Sequence, residues 1–248
     1  MNAMNLFADA LTQFYTTGNA QLRIEREDGY SNIEDLGWYV TAFPQFPAFE
    51  KQALKFARGR VLDAGCAAGR HSLYLQKRGM SVTAVDVSLK MVELARARGV
   101  RDVRVANICQ RLPFQNGEFD TVILFGNNLG LGGTEMRFRN MLRELHRVTT
   151  AHGTILATTR QPNPLHPTHR AYLQKNIARG RAPGQMRFRL LFNRKRGAWF
   201  DLLLLAPTDL MRLAFQEGWQ LTNLFTTHPE QGYAVVMEKA TPRSRRSK

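Results

Sequence analysis

Two carboxylates and two glycines are the residues of this chain best placed to do chemistry. Asp63 closes the apolar run Val61-Leu62, and Gly65 and Gly69 follow at a four-residue step. Asp86 ends a second, β-branched run, Ser81-Val82-Thr83-Ala84-Val85, and lies 21 residues after Gly65. Between the runs, His71 to Arg78 offers good helix formers with a stop at Gly79. A strand, a glycine turn and a helix N-terminus make the nucleotide-binding corner of an α/β sheet, and an acid at the next strand tip accepts hydrogen bonds from ribose hydroxyls. The acids at both strand tips have no packing purpose, which argues against a βαβ unit that binds nothing.

Residues 65–70 read Gly-x-Ala-x-Gly-Arg, which departs from the Gly-x-Gly-x-x-Gly pattern of dinucleotide sites. A carboxylate at Asp63, beside the helix N-terminus, would repel a pyrophosphate and offset the helix dipole. It suits a phosphate-free ligand that carries an ammonium. S-adenosylmethionine has that group, a ribose for Asp86 and an adenine for an apolar slot. Here the residues resemble the class I S-adenosylmethionine-dependent methyltransferases, whose first motif is acid-x-Gly-x-Gly-x-Gly. Asp63, Gly65 and Gly69 match it, and Ala67 replaces the middle glycine. The resemblance runs over 55–160 and resumes over 207–239.

The resemblance implies S-adenosylmethionine as cofactor, S-adenosylhomocysteine as product, and in-line transfer of a methyl group. It implies a cofactor site of Asp63, Gly65, Cys66, Ala67, Gly69 and His71 on the motif loop and helix. Asp86, Val87 and Met91 follow the second strand, and Asn107 and Ile108 meet the adenine. Gly126 and Asn127 face the sulfonium at the end of the fourth strand. For the methyl acceptor, Asn128, Tyr30, Tyr39, Arg187 and Arg189 are the candidates, the last two on one face of a hairpin. No catalytic base is assigned: Tyr30, Tyr39, His166 and His169 carry suitable groups but have no spacing argument. A base is required only if the nucleophile has a proton to lose.

The elements that must position these residues follow a βα rhythm. Helices are expected over 4–17 and 49–57, before the first motif. Strands are expected at the motif run, 81–86, 102–108, 119–125 and 153–159, and helices at 88–98 and 134–148. A helix from a cap at Thr208 to Gln216 precedes the last strands, 219–226 and 232–238. The alternation predicts a Rossmann-like, doubly wound α/β fold with a mostly parallel seven-stranded sheet. By the resemblance, its final strand is antiparallel. The rhythm breaks over 160–206, where Pro162, Pro164 and Pro167 lead into a helix at 169–179 and a hairpin of 186–192 with 198–205. The domain reading is one methyltransferase unit over 1–240. It comprises an N-terminal helical and aromatic lid (1–58), a cofactor core (59–160 and 207–240) and an inserted cap or sheet extension (161–206). A basic tail, 241–248, is expected to be disordered.

The chain has 248 residues and a net charge of +15. Residues 145–200 hold 11 Lys/Arg and no acid, and the last eight residues hold four more. That basicity supports an alternative, an RNA or DNA methyltransferase gripping phosphates through the insertion and tail. Against it, no Asn/Asp-Pro-Pro-aromatic tetrad follows the fourth strand, and neither cysteine lies where a cytosine-attacking thiol is expected. The leading expectation is methylation of an oxygen or nitrogen of a small molecule with an anionic group. Cys66 and Cys109 show no metal or disulfide spacing, so no metal is expected. With no signal-like start and no apolar run near 18 residues, the protein is expected to be cytoplasmic, without a membrane partner.

Overall fold

The computed structural model describes residues 3–162, 167–227 and 232–240, so His166 and the 241–248 tail lie outside the described residues. Helix α1 (Ala3–Thr17) opens the chain, followed by the hairpin β1 (Leu22–Arg26) and β2 (Ser31–Glu34). Two short 3-10 turns, Leu36–Val40 and Phe43–Gln45, lead to α2 (Ala48–Leu54). The alternating core is β3 (Arg60–Ala64), α3 (Arg70–Lys77), β4 (Ser81–Asp86), α4 (Leu89–Ala97), β5 (Asp102–Val105), β6 (Phe119–Leu124), α5 (Glu135–Val148) and β7 (Thr149–Thr159). The insertion holds α6 (Pro167–Ala178), β8 (Gln185–Phe192), β9 (Lys195–Arg196) and β10 (Phe200–Leu203). The remaining elements are α7 (Pro207–Gln216), β11 (Trp219–Phe225) and β12 (Tyr233–Lys239).

The main sheet has seven strands in the order β11-β12-β7-β6-β3-β4-β5. The pairs among β7, β6, β3, β4 and β5 are parallel, and β12 is antiparallel to both neighbours. Buried on both faces, β6 needs its almost wholly apolar sequence. On one face Phe138, Leu142 and Leu145 of α5 pack with Trp219, whose indole N–H donates to the Leu142 carbonyl at 3.1 Å. On the other, Phe49, Ala53 and Leu54 of α2 pack with Leu75 and Ile123.

The insertion is not a free-standing cap. Strand β8 pairs with β10 on one side and with β1 on the other, giving a second, antiparallel sheet in the order β10-β8-β1-β2. Strands β1 and β2 were not among the elements expected from the sequence. They close the edge that an isolated hairpin would leave open. Helix α1 buries Leu6 and Leu11 against Leu22, Leu190 and Phe192 of this sheet and against Met91 and Leu94 of α4. The N-terminal region and the insertion thus form one layer.

Some boundaries also differ from expectation. Strand β5 stops at Val105, because Asn107 Oδ1 accepts the Cys109 N–H at 2.9 Å and turns the backbone away. Helix α7 begins at Pro207 after Ala206, not at a Thr208 cap, since proline suits the first helical position. Among the described residues no helix is long and apolar enough to cross a membrane, and no group of three or more His, Cys, Asp or Glu is placed to hold a metal.

Candidate functional site

The motif loop is shaped by left-handed backbone at three points: Gly65 (φ 85°), Ala67 (φ 46°) and Gly69 (φ 75°). A Cβ on Gly65 would lie 2.5 Å from Asn128 Nδ2, and one on Gly69 would lie 2.4 Å from Val100 Cγ2. The middle position keeps the conformation that favours glycine although it is an alanine. Its N–H donates to Asp86 Oδ2 at 3.1 Å, and the Ser88 N–H donates to Asp86 Oδ1 at 3.0 Å. A carboxylate has about four acceptor positions, so Asp86 keeps capacity beyond these amide bonds for ribose hydroxyls. Burial pushes its carboxyl above the usual carboxylate range, opposed by the Ser88 and Ala67 amides.

The tips of β3, β4 and β6 open into a cavity of about 680 Å³. Of the sequence-predicted cofactor residues, Gly65, Cys66, Ala67, His71, Asp86, Val87, Met91, Asn107, Ile108, Gly126 and Asn127 line it. Asp63 and Gly69 do not. Asp63 is 2% exposed, and Ser72 Oγ donates to its Oδ2 at 2.5 Å. It buttresses the first turn of α3 from beneath the loop instead of meeting a ligand's ammonium directly. Burial raises its pKa, with His71 and Ser72 pulling the other way. Gly69 is the residue preceding α3 and acts through backbone geometry.

Of the acceptor candidates, Tyr30, Tyr39 and Asn128 line the cavity. Asn128 Nδ2 donates to the Ala64 and Gly65 carbonyls at 3.0 and 2.6 Å, so its amide group staples the motif loop to the end of β6. The Tyr39 hydroxyl donates to Glu34 Oε1 at 2.6 Å, and burial and that carboxylate push its pKa well up. His169 also lines the cavity, its ring 5.3 Å from that of Tyr30.

Arg187 and Arg189 share a face, as the alternation required, but it is not the face that lines the cavity. Neighbours Met186, Phe188 and Leu190 line the cavity and the two arginines do not. Arg189 forms a bidentate pair with Glu25 at 2.9 Å for both bonds, and its guanidinium stacks 4.5 Å over Trp199. The reason is register: Arg23, Glu25, Arg187 and Arg189 occupy one face of the paired strands, and Leu22, Ile24, Arg26, Phe188 and Leu190 the other.

That inner face roofs the cavity, and sequence reasoning missed most of it. Its β8–β10 side is apolar, with Phe188, Phe200 and Leu202; its β1–β2 side is polar, with Arg26, Asn32 and Glu34. Period-2 alternation over Leu22, Ile24 and Arg26 was the available signal. Arg26 is 2% exposed, doubly bonded to Asp28 (2.8 and 2.7 Å) and lies 4.3 Å from the Tyr172 ring centroid. Arg137 and Arg160 also line the cavity, and among the described residues neither forms an ion pair. At the floor, Glu50, itself 2% exposed, accepts two 3.0 Å bonds from Arg70 Nη2 and lies 3.2 Å from His71 Nε2.

The donor set fits S-adenosylmethionine: an acid with acceptor capacity to spare at the β4 tip, an apolar slot of Val87, Met91 and Ile108, and a loop that brings bare backbone to the cavity. Residues 61–153 match a family model described as a methyltransferase domain. Over that region the chain is similar to the class I S-adenosylmethionine-dependent methyltransferases, enzymes whose cofactor is S-adenosylmethionine. It is 32% identical over 117 residues to malonyl-[acyl-carrier protein] O-methyltransferase of Pseudescherichia vulneris, covering 45% of this chain and 43% of the relative. It is 36% identical over 74 residues to a ubiquinone biosynthesis O-methyltransferase of Xanthomonas oryzae, covering 28% and 31%. The chain thus spans less than half the length of these curated relatives. Among solved structures, an S-adenosylmethionine-dependent methyltransferase from Bacteroides fragilis in complex with S-adenosylhomocysteine shares the fold over nearly the whole length. Its TM-score is 0.82 at 23% identity, over 97% of this chain and 98% of that one.

Proposed function

We propose that this chain transfers a methyl group from S-adenosylmethionine to an oxygen or nitrogen of a small acceptor enclosed beneath the antiparallel sheet. One observation carries the reading: the β3, β4 and β6 tips and the inner face of the second sheet line a single cavity. Asp86 holds the ribose hydroxyls, and Val87, Met91, Asn107 and Ile108 surround the adenine. Gly65, Cys66, Ala67, His71, Gly126 and Asn127 lie along the rest of the cofactor, with Asp63, Gly69 and Asn128 shaping the loop. As domains, 59–160 and 207–240 form the cofactor core, and 1–58 with 161–206 form one roof.

The bound cofactor supplies a sulfonium whose methyl is already activated. What the chain adds is alignment and the exclusion of water by a roof of Phe188, Phe200 and Leu202. The apolar half of the roof suits an acceptor with a hydrocarbon body, and Arg137 and Arg160, which form no ion pair among the described residues, suit an anionic group on it. Oxygen is favoured over nitrogen by the relatives named as O-methyltransferases. Weighing against nucleic acid, part of the basic insertion is matched within the fold, Arg189 by Glu25 and Arg179 and Arg181 by Glu27.

Incubation with methyl-labelled S-adenosylmethionine, a panel of small organic acids and hydroxylated compounds, and total RNA tests this. Label should enter a small acidic compound. Label in RNA alone would overturn the reading.

A further inference from the structure

The most deeply buried charge network at the cavity lies partly outside the cofactor half. Glu50 belongs to α2 of the N-terminal region, and it reaches two consecutive residues of the motif helix, Arg70 and His71. Arg70 is held further by Thr41 Oγ1 at 3.2 Å and by the rings of Trp38 and Phe46, 4.6 and 4.7 Å away. The His71 ring sits between Phe46 and Phe125, each 4.8 Å away by centroids. We infer that Glu50 is a positioning residue for the amino-acid end of the cofactor, acting through His71. This rests on reading the cavity as the S-adenosylmethionine site.

Strand order supplies the direction. Asp86 ends β4 and Asn107 follows β5, on one side of β3, while Phe125 follows β6 on the other. A nucleoside held by Asp86 therefore extends its remaining end across the β3 tip toward Phe125, where His71 packs. The Glu50 carboxylate accepts the Nε2–H, which fixes the ring and leaves Nδ1 as its other polar atom. Nδ1 has no hydrogen-bond partner among the described residues, yet it is not one of the sealed, unpartnered atoms, and His71 lines the cavity. It is thus presented to a ligand. A zwitterionic amino-acid end offers it an ammonium donor. Arg70 neutralises Glu50, so the buried carboxylate is not left uncompensated. The arrangement makes the N-terminal region part of the cofactor site: His71 is aimed only when α2 is docked.

The test compares S-adenosylhomocysteine with 5′-methylthioadenosine, the same nucleoside thioether without an amino-acid end, by calorimetry. Loss of one hydrogen bond to a charged group should cut the preference for S-adenosylhomocysteine on the order of tenfold in Glu50→Gln and in His71→Gln. Affinity for 5′-methylthioadenosine should hold, which a merely structural role for Glu50 would not produce. If Glu50→Gln fails to fold because Arg70 is stranded, Glu50→Leu combined with Arg70→Met removes both charges and should show the same fall. An unchanged preference in His71→Gln, or in a folded Glu50 variant, overturns the proposal. Failure of the wild type to bind either ligand defeats the cofactor reading itself, a separate outcome.

Discussion

The parallel sheet delivers its functional groups at strand tips, whereas the antiparallel sheet delivers them across a face. At a tip, one residue decides: Asp86 meets the cavity because β4 ends there, whatever covers the strand's sides. On a face, the pairing register decides, and a slip of one residue would exchange Phe188 for Arg187 and Arg189 in the cavity. Cofactor binding should therefore be sensitive to single residues of the motif loop and insensitive to the outer face of the roof.

The largest expected effect is at Gly69. An alanine there meets both a left-handed φ and Val100 at 2.4 Å, a cost of about 2–5 kcal/mol that a thermal melt should register. Next comes Glu217, at the base of the parallel sheet, 8% exposed and bonded at 2.5 Å by both Arg139 and Arg143. Glu217→Gln should cost about 1–3 kcal/mol while sparing S-adenosylhomocysteine affinity. Burial pushes this carboxyl up, but Arg143 and Arg139 outweigh it and hold it below the ordinary value of a glutamate. Its stabilisation is thus full above that value and lost as pH falls through the lower folded one. The variant's melting temperature should accordingly fall less steeply in acid.

Smaller effects sharpen the contrast with the roof. Replacing Arg187 and Arg189 by Gln should leave S-adenosylhomocysteine affinity unchanged by calorimetry, since neither lines the cavity and Arg189 only joins Glu25 on the outer face. A tenfold loss would mean that the outer face reaches the cofactor. The smallest change is Ala67→Gly. It relieves a left-handed alanine but frees the unfolded chain, and denaturant midpoints should place it within about 1 kcal/mol of wild type, on the stable side.

The same contrast explains what could be read from the sequence. The parallel core of the main sheet follows from alternating apolar runs and glycine stops, the antiparallel last strand was implied by the family resemblance, and the loop residues follow from the spacing of Asp63, Gly65 and Asp86. The roof was harder, because its strands come from residues 22–34 and 185–203, which pair only in three dimensions. Alternation showed that Arg187 and Arg189 share a face, but which face is inside depends on α1 covering Leu190 and Phe192. The place of Asp63 was hidden for a related reason: standing near the end of a strand does not say whether a side chain lines the cavity or is buried, as here, where Ser72 holds it. Glu50 gave no signal, since a single acid in a short helix acquires its role only from partners 20 and 21 residues away.

The central claim is that S-adenosylmethionine sits across the β3 tip with its ribose on Asp86. Titration of S-adenosylhomocysteine into the wild type and Asp86→Ala measures it directly. The wild type should bind, and the variant should lose about 1–3 kcal/mol of affinity, because ribose hydroxyls are left unpaired in a half-buried site. Equal affinity in the two proteins would contradict the account.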